Sequence, residues 1–291
     1  RVSAAIVPHT LTIEAGGLEA RTRIQGNGSA ISGPIADSSG SSNVYAIYAG
    51  PSLNARTGDV SIEGHYRIGY SRVGEPSGLA SVPGVTPLDV FDDSLVQNAQ
   101  LRVGSRPHEL LPVGVGLGGG WYQEDISNFD QRVQDRWLRG DVTVPVSQSL
   151  ALLGGVGYEN VKISARDALR DSSGNPVIGA NGRYVTDPNA PRQLAYDVDG
   201  LIWDVGVMWR PSRRTELEAH VGRRYGSTTY YGTLSYTPNA RSSLHVAVYD
   251  NIFGFGGLIN NALVDLPTDF VANRNPLTGD IAACVVSLQG G

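Results

Sequence analysis

In Val60-Ser61-Ile62-Glu63-Gly64-His65-Tyr66-Arg67-Ile68-Gly69-Tyr70, every even position is apolar, aromatic or Gly, and the odd positions up to Arg67 are polar or charged. Extended backbone sends alternate side chains to opposite faces, whereas a helix would repeat every 3.6 residues or so, so this period of two marks a two-faced strand. Leu201-Ile202-Trp203-Asp204-Val205-Gly206-Val207-Met208-Trp209-Arg210 alternates on its odd positions, and Leu217-Glu218-Ala219-His220-Val221 and Leu138-Arg139-Gly140-Asp141-Val142-Thr143-Val144 repeat the pattern. Weaker alternation runs through 10–25, 43–56, 94–104, 113–124, 150–163, 228–237 and 244–251. In the first of these the apolar phase moves from odd (Leu11, Ile13) to even (Leu18, Ala20) across Gly16-Gly17, which predicts a β-bulge at the glycine pair. The 37 glycines and the scarcity of strong helix formers disfavour long helices.

The total is about eleven strands. Most exceed the roughly 5–6 residues typical of soluble sheets and approach the roughly 9–11 residues that cross a bilayer at a tilt. Their connections alternate in length. Short turns fall at Thr57-Gly58, Ser147-Gln148, 212–214 and 239–242, with a longer member at 105–112. Three carry a shared design, as in Arg210-Pro211-Ser212-Arg213-Arg214-Thr215-Glu216-Leu217: Pro closes a strand, polar residues turn, and Leu restarts. The intervening connections are mostly long, at 26–42, 73–93, 125–131 and 164–199, with one short exception at Gly226-Ser227. Long loops on one side and short turns on the other is the layout of an up-and-down transmembrane β-barrel. Asn181-Gly182 predicts a small hairpin within the loop at 164–199, standing above the rim.

The two faces are chemically distinct. The polar one carries Glu19, Arg21, Arg23, Glu63, His65, Arg67, Arg102, Arg139, Asp141, Asp204, Glu216, Glu218 and His220, with both signs interspersed. In a barrel these residues line the lumen, where opposite charges pair across strands. The apolar face adds Tyr45, Tyr66, Tyr70, Trp121, Trp203, Trp209, Tyr230 and Tyr236, many near strand ends, where aromatic girdles sit. Several other apolar-face positions are Gly or Ala, poor filling for the dense core of a soluble sandwich.

Composition removes other classes. The net charge of −5 disfavours a nucleic-acid partner. No run of about 18 apolar residues provides a transmembrane helix. A single Cys excludes an internal disulfide framework. The five His (His9, His65, His108, His220, His245) form no metal-type cluster in sequence, and Ser243 two residues before His245 lacks the third group a triad needs. Asp171-Ser172-Ser173-Gly174-Asn175 lacks the distal bidentate Glu of a calcium loop and reads as a polar turn. Gly118-Gly119-Gly120 has no following Lys or helix and gives lumen space or close backbone approach. Arg223-Arg224 reads as a rim pair. No catalytic residue, metal or cofactor is expected.

The stretches Tyr196-Asp197-Val198-Asp199-Gly200-Leu201-Ile202-Trp203-Asp204, Trp209-Arg210-Pro211-Ser212-Arg213-Arg214-Thr215 and Gly222-Arg223-Arg224-Tyr225-Gly226-Ser227-Thr228-Thr229-Tyr230-Tyr231-Gly232 resemble an alphaproteobacterial family of outer-membrane β-barrels of the sphingomonad type. That family is similar to the barrels associated with PEP-CTERM sorting and exopolysaccharide systems, some of which are labelled preprotein translocase subunits. Phe270-Val271-Ala272-Asn273-Arg274-Asn275-Pro276-Leu277-Thr278-Gly279-Asp280 and Val156-Gly157-Tyr158-Glu159-Asn160 fit as well. The resemblance covers most of the chain. It implies a longer precursor with a signal peptide, further strands on both sides, and a second Cys after Cys284; the residues themselves leave Cys284 either paired with a Cys beyond Gly291 or buried. It carries no catalytic residues.

The resulting expectation is an all-β, antiparallel up-and-down transmembrane barrel, residues 1–291 forming one domain that is an incomplete part of a larger barrel. Its expected place is the bacterial outer membrane. Its expected work is porin-like passage of polar solutes or a polymer, or service as a structural surface component, without enzymatic activity. The expected partners are outer-membrane lipid and a second copy or other envelope proteins. The alternative is a soluble secreted β-sheet adhesin or carbohydrate binder.

Overall fold

The computed structural model describes residues 1–24, 40–74, 93–179, 184–239, 242–265, 270–274 and 281–287; the side chains of 21–24, 40–42, 255, 265, 270–274 and 281–287 fall outside that description. Twelve strands form one sheet: β1 (Val2–Val7), β2 (Leu11–Ile24), β3 (Gly40–Thr57), β4 (Val60–Val73), β5 (Asp93–Ser105), β6 (Gly114–Ile126), β7 (Gln131–Pro145), β8 (Leu150–Ala165), β9 (Gln193–Ser212), β10 (Thr215–Arg224), β11 (Ser227–Asn239) and β12 (Ser242–Val248). Each pairs antiparallel with its neighbours in sequence, a pure meander. All eleven expected segments are strands, β2 to β12. β1 escapes the alternation test because Val2, Ala4, Ala5, Ile6 and Val7 are apolar in both phases.

Helix α1 (Phe255–Asp265) follows β12, and β13 (Phe270–Arg274) pairs with β14 (Ile281–Ser287) as a separate two-stranded sheet. Pro276 and Gly279 give the chain after Asn275 the composition of a loop, yet Ile281–Ser287 is a strand. Cys284 sits in β14, but its side chain, and with it any disulfide, lies outside the described residues.

The sheet curls without closing. Ser52 of β3 and Tyr231 of β11 line one cavity, so the inner faces of distant strands confront each other. Yet β1 and β12 remain unpaired edges among the described residues, so the antiparallel up-and-down sheet is a curled wall that does not close on itself. Beyond Val248 the chain turns into the concave side, and α1 packs against β2 to β6 instead of extending the sheet.

Registers sort side chains between the faces, because residues directly opposite on antiparallel strands point the same way. The β2–β3 register is unbroken from Leu11↔Leu53 to Ile24↔Gly40, so no bulge forms at Gly16-Gly17. Glu19 consequently lies opposite Tyr45 on the convex face rather than in the lumen. Arg21 and Arg23 continue that register opposite Asn43 and Ser41, with side chains outside the described residues. The inversion has a physical origin. Leu18 sits opposite Ala46, where α1 makes the concave side apolar, so the rule that apolar means outward inverts there.

Candidate functional site

Charged residues on the concave face reach past their nearest neighbours. Adjacent strands are about 4.8 Å apart, and a guanidinium on a long stem can cross one strand if nothing stands in the way. Arg102 of β5 crosses β6 over Gly116 to make a bidentate pair with Asp141 of β7, Nη1 donating to Oδ1 at 2.7 Å. Arg139 of β7 crosses β8 over Gly155 and pairs with Asp204 of β9. A Cβ on Gly155 would lie 2.2 Å from the Arg139 guanidinium, so only glycine leaves that path open. Trp137 lies likewise over Gly118 and Gly120, which gives the glycine run its role of close approach.

Asp204, 3% exposed, also accepts from His220 Nδ1 at 3.0 Å, while His220 Nε2 donates to Glu218 at 3.0 Å. Ionised carboxylates only accept, so both ring nitrogens must carry hydrogen for both bonds to form. Tyr231 stacks on the imidazole at 4.4 Å. Nearer the long-loop end, Arg224 bridges Glu159 (2.9 Å) and Asp135 (3.1 Å). Glu159 is almost fully buried and also accepts the Tyr225 backbone N–H. Arg223 and Arg224 are therefore no rim pair, since alternation turns the first to the convex side and the second into this network.

Glu63, His65, Arg67, Arg102, Arg139, Asp141, Asp204, Glu216, Glu218 and His220 all take concave positions in the register. Most of them wall a cavity of about 710 Å³ toward the short-turn end. Glu124, Asp135, Trp137, Glu159 and Tyr231 belong to the same face, as extension of the period through β6, β7, β8 and β11 would have shown.

At the long-loop end the concave space is filled. Glu124 is fully buried and accepts four hydrogen bonds: from Ser94 Oγ (2.9 Å), Tyr122 OH (2.6 Å), Gly254 N (2.8 Å) and Gly257 N (3.1 Å). The last two are backbone donors at the start of α1, so a carboxylate of the wall caps the positive end of the helix. Close seating requires glycine: a Cβ on Gly256 would lie 2.2 Å from Ser94 Oγ, and one on Gly257 2.1 Å from Tyr122 OH. Leu263 packs on Ala46 and Tyr48, and Phe253 meets Tyr122 edge-on at 5.0 Å beside Val96 and Val133.

No family model and no curated protein matches the chain. The arrangement must therefore be read from its own chemistry. Among the described residues no group of His, Cys, Asp and Glu could hold a metal ion.

The convex face is apolar and solvent-exposed through its middle, with Leu117, Leu138, Val156, Leu201 and Val205 all more than half exposed. Tyr45, Tyr66, Tyr70, Trp121, Trp203, Trp209, Tyr230 and Tyr236 all take convex register positions. Tyr158, absent from the expected set, joins them and donates to Asp199. Tyr66 and Tyr70 donate to Gln97 (2.9 Å) and Asp93 (3.1 Å). Toward the long-loop end the convex face turns polar, through the bonds of Gln134 to Gln123 and of Gln123 and Arg132 to Asp125.

Above the rim, the connection between β8 and β9 is tied to the turn before β7. Asp130 accepts from Arg166 Nε (2.7 Å) and pairs with Arg192 (2.6 Å). Phe129 and Asp130 have φ of 50° and 47°, a left-handed pair that is costly outside glycine and is held here by the two arginines. Within the loop, Leu169, Val177 and Val185 exchange backbone bonds, and Ile178 pairs with Tyr184 across the expected hairpin tip, whose Asn181-Gly182 lies outside the described residues. Asp171 Oδ1 caps the N–H groups of Ser173 and Asn175, the polar turn expected there.

Partial burial alone would raise the Asp130 carboxyl, but its bonds to Arg166 and Arg192 outweigh this and hold it below the usual aspartate range. A depressed folded-state value contributes stability above the unfolded value, roughly 3.9, which is lost as pH falls through the folded one. Pepsin cleavage within 166–192 is therefore expected to rise as pH is lowered below about 4. In Asp130→Asn, cleavage should already be high at the upper end of that range and lack the step.

Proposed function

We propose that the protein is an integral outer-membrane β-barrel protein without enzymatic activity, whose lumen is plugged at the long-loop end by residues 249–265. One observation carries this reading: a continuous exposed apolar belt on the convex face backs a concave face of paired charges. In water such a belt is a liability, because monomeric soluble proteins rarely expose large contiguous apolar patches. Facing lipid, the same belt is the stable arrangement, with aromatics near its margins and polar residues inside. Lipid is then the convex face's partner, and the long connections, including the braced loop 166–192, face the cell surface. Small residues on the wall, such as the exposed Ala49 and the half-buried Gly140 and Gly154, permit a second copy or another envelope protein to approach.

The seated helix favours controlled passage of polar solutes or a polymer, or a structural role at the surface, over a permanently open pore. The test is conductance of the full-length protein in a planar bilayer. Insertion with rare or no open steps is expected for the wild type. Steady large steps that scale with salt would show an open pore. A protein that stays dispersed in detergent-free buffer and never inserts would overturn the membrane reading in favour of a soluble adhesin or carbohydrate binder.

A further inference from the structure

Directly beneath the segment 249–254 lies a second chamber of about 520 Å³ that adjoins the larger cavity through Gln100, Trp137, Arg139, Glu218 and Tyr231. The two differ in electrostatic character. The larger cavity carries no surplus of acid, with Glu63, Asp141 and Glu218 against Arg67, Arg102, Arg139 and the doubly hydrogenated His220. The chamber has four acids, Asp135, Asp204, Glu218 and Asp250, against Arg139, Arg224 and the His220 ring that bonds Asp204 and Glu218, which leaves an excess of acid, since Arg223 at its wall belongs to the convex face. Its remaining wall is largely aromatic, from Tyr122, Trp137, Tyr225, Tyr231, Tyr249 and Phe253.

One acid is incompletely used. Asp135 is 7% exposed, and its Oδ2 accepts from Arg224, while Oδ1 is buried without a partner. Thr229 Oγ1, also on the chamber wall, is buried and unpartnered too. A buried carboxylate oxygen with no donor is costly, and such atoms are almost always satisfied. The complement of a surplus of negative charge, a vacant acceptor and several ring faces is a cation with an organic shell, which gains ion pairing and cation–π attraction together.

We propose that this chamber binds an organic cation, a substituted ammonium or guanidinium compound, between Asp135 and the Trp137 and Tyr231 rings. The inference goes beyond the barrel reading, because it concerns the chamber whether or not the wall meets lipid. Choline serves as the probe, with its neutral carbon isostere dimethylbutanol as the matched comparison. Both are titrated calorimetrically into the full chain in detergent micelles.

Binding of choline to the wild type is expected, with the isostere weaker by about tenfold or more. Asp135→Asn should lose a similar factor for choline while leaving the isostere unchanged. Trp137→Leu should weaken both, and Asp59→Asn, in the β3–β4 turn, neither. Equal affinity for choline and the isostere, or no heat with folded wild type, would overturn the proposal. Should Asp135→Asn fail to fold, the comparison of the two ligands on the wild type decides alone.

Discussion

Glu124→Ala is expected to unseat the helix and open the long-loop end of the lumen. The carboxylate is fully buried and accepts from two hydroxyls and two backbone N–H groups of the plug. Each buried donor left unpaired costs on the order of 1–3 kcal/mol, and water entering the polar lumen offsets part of this. A net loss of about 3 kcal/mol in seating free energy follows, enough to shift the seated-to-free ratio roughly a hundredfold. Glu124→Gln should recover only part, because an amide presents one acceptor oxygen, and its NH₂ would face donors. The measurements are protease cutting within 249–265 and open-channel probability in bilayers. Unchanged values for both in a folded Glu124→Ala protein would show that apolar packing of Leu263 and Phe253 holds the plug by itself.

Leu138→Arg is expected to cost about 2–4 kcal/mol in folding into phospholipid vesicles, the range for a cation near the bilayer midplane on a barrel's outer wall. Leu138 is the central residue of β7 and is 59% exposed on the convex face. Val146→Arg, in the β7–β8 turn, should cost about 0–1 kcal/mol, since the penalty falls toward the interface. Urea titrations in vesicles read both. A soluble sheet predicts instead that exposed Leu138 tolerates Arg within about 0.5 kcal/mol. A flat response at both positions would therefore remove the membrane from the account.

Much of the wall was legible because its code is local. Alternation in Val60–Val73 or the β9 segment around Trp203 records which side of a strand each residue faces, and Pro or Gly marks the turns. The plug was not legible, for the same reason. The pattern in 256–264 is helical, with Gly256, Asn260 and Leu263 buried on one side, but glycines at 254, 256 and 257 make it look like loop. Those glycines are there to let α1 approach Ser94 and Tyr122, a contact between segments more than a hundred residues apart that no window can see. Glu19 breaks the local rule because of that same distant helix, and Glu124 is recognisable from its strand as polar-face but not as a cap. The side of the wall that Arg139 faces follows from its strand alone; its partner two strands away depends on the open path over Gly155.

The diagonal reach of Arg102 and Arg139 has a mechanical consequence. A side chain that ties strand n to strand n+2 across the inner surface acts as a chord on an arc, fixing how sharply the three strands bend. Two such chords, spanning β5–β7 and β7–β9, brace one continuous sector of the wall. Breathing of the concave space is then displaced to the unbraced margins at β1 and β12, whose free edges can pair with a further strand without altering the stiff sector.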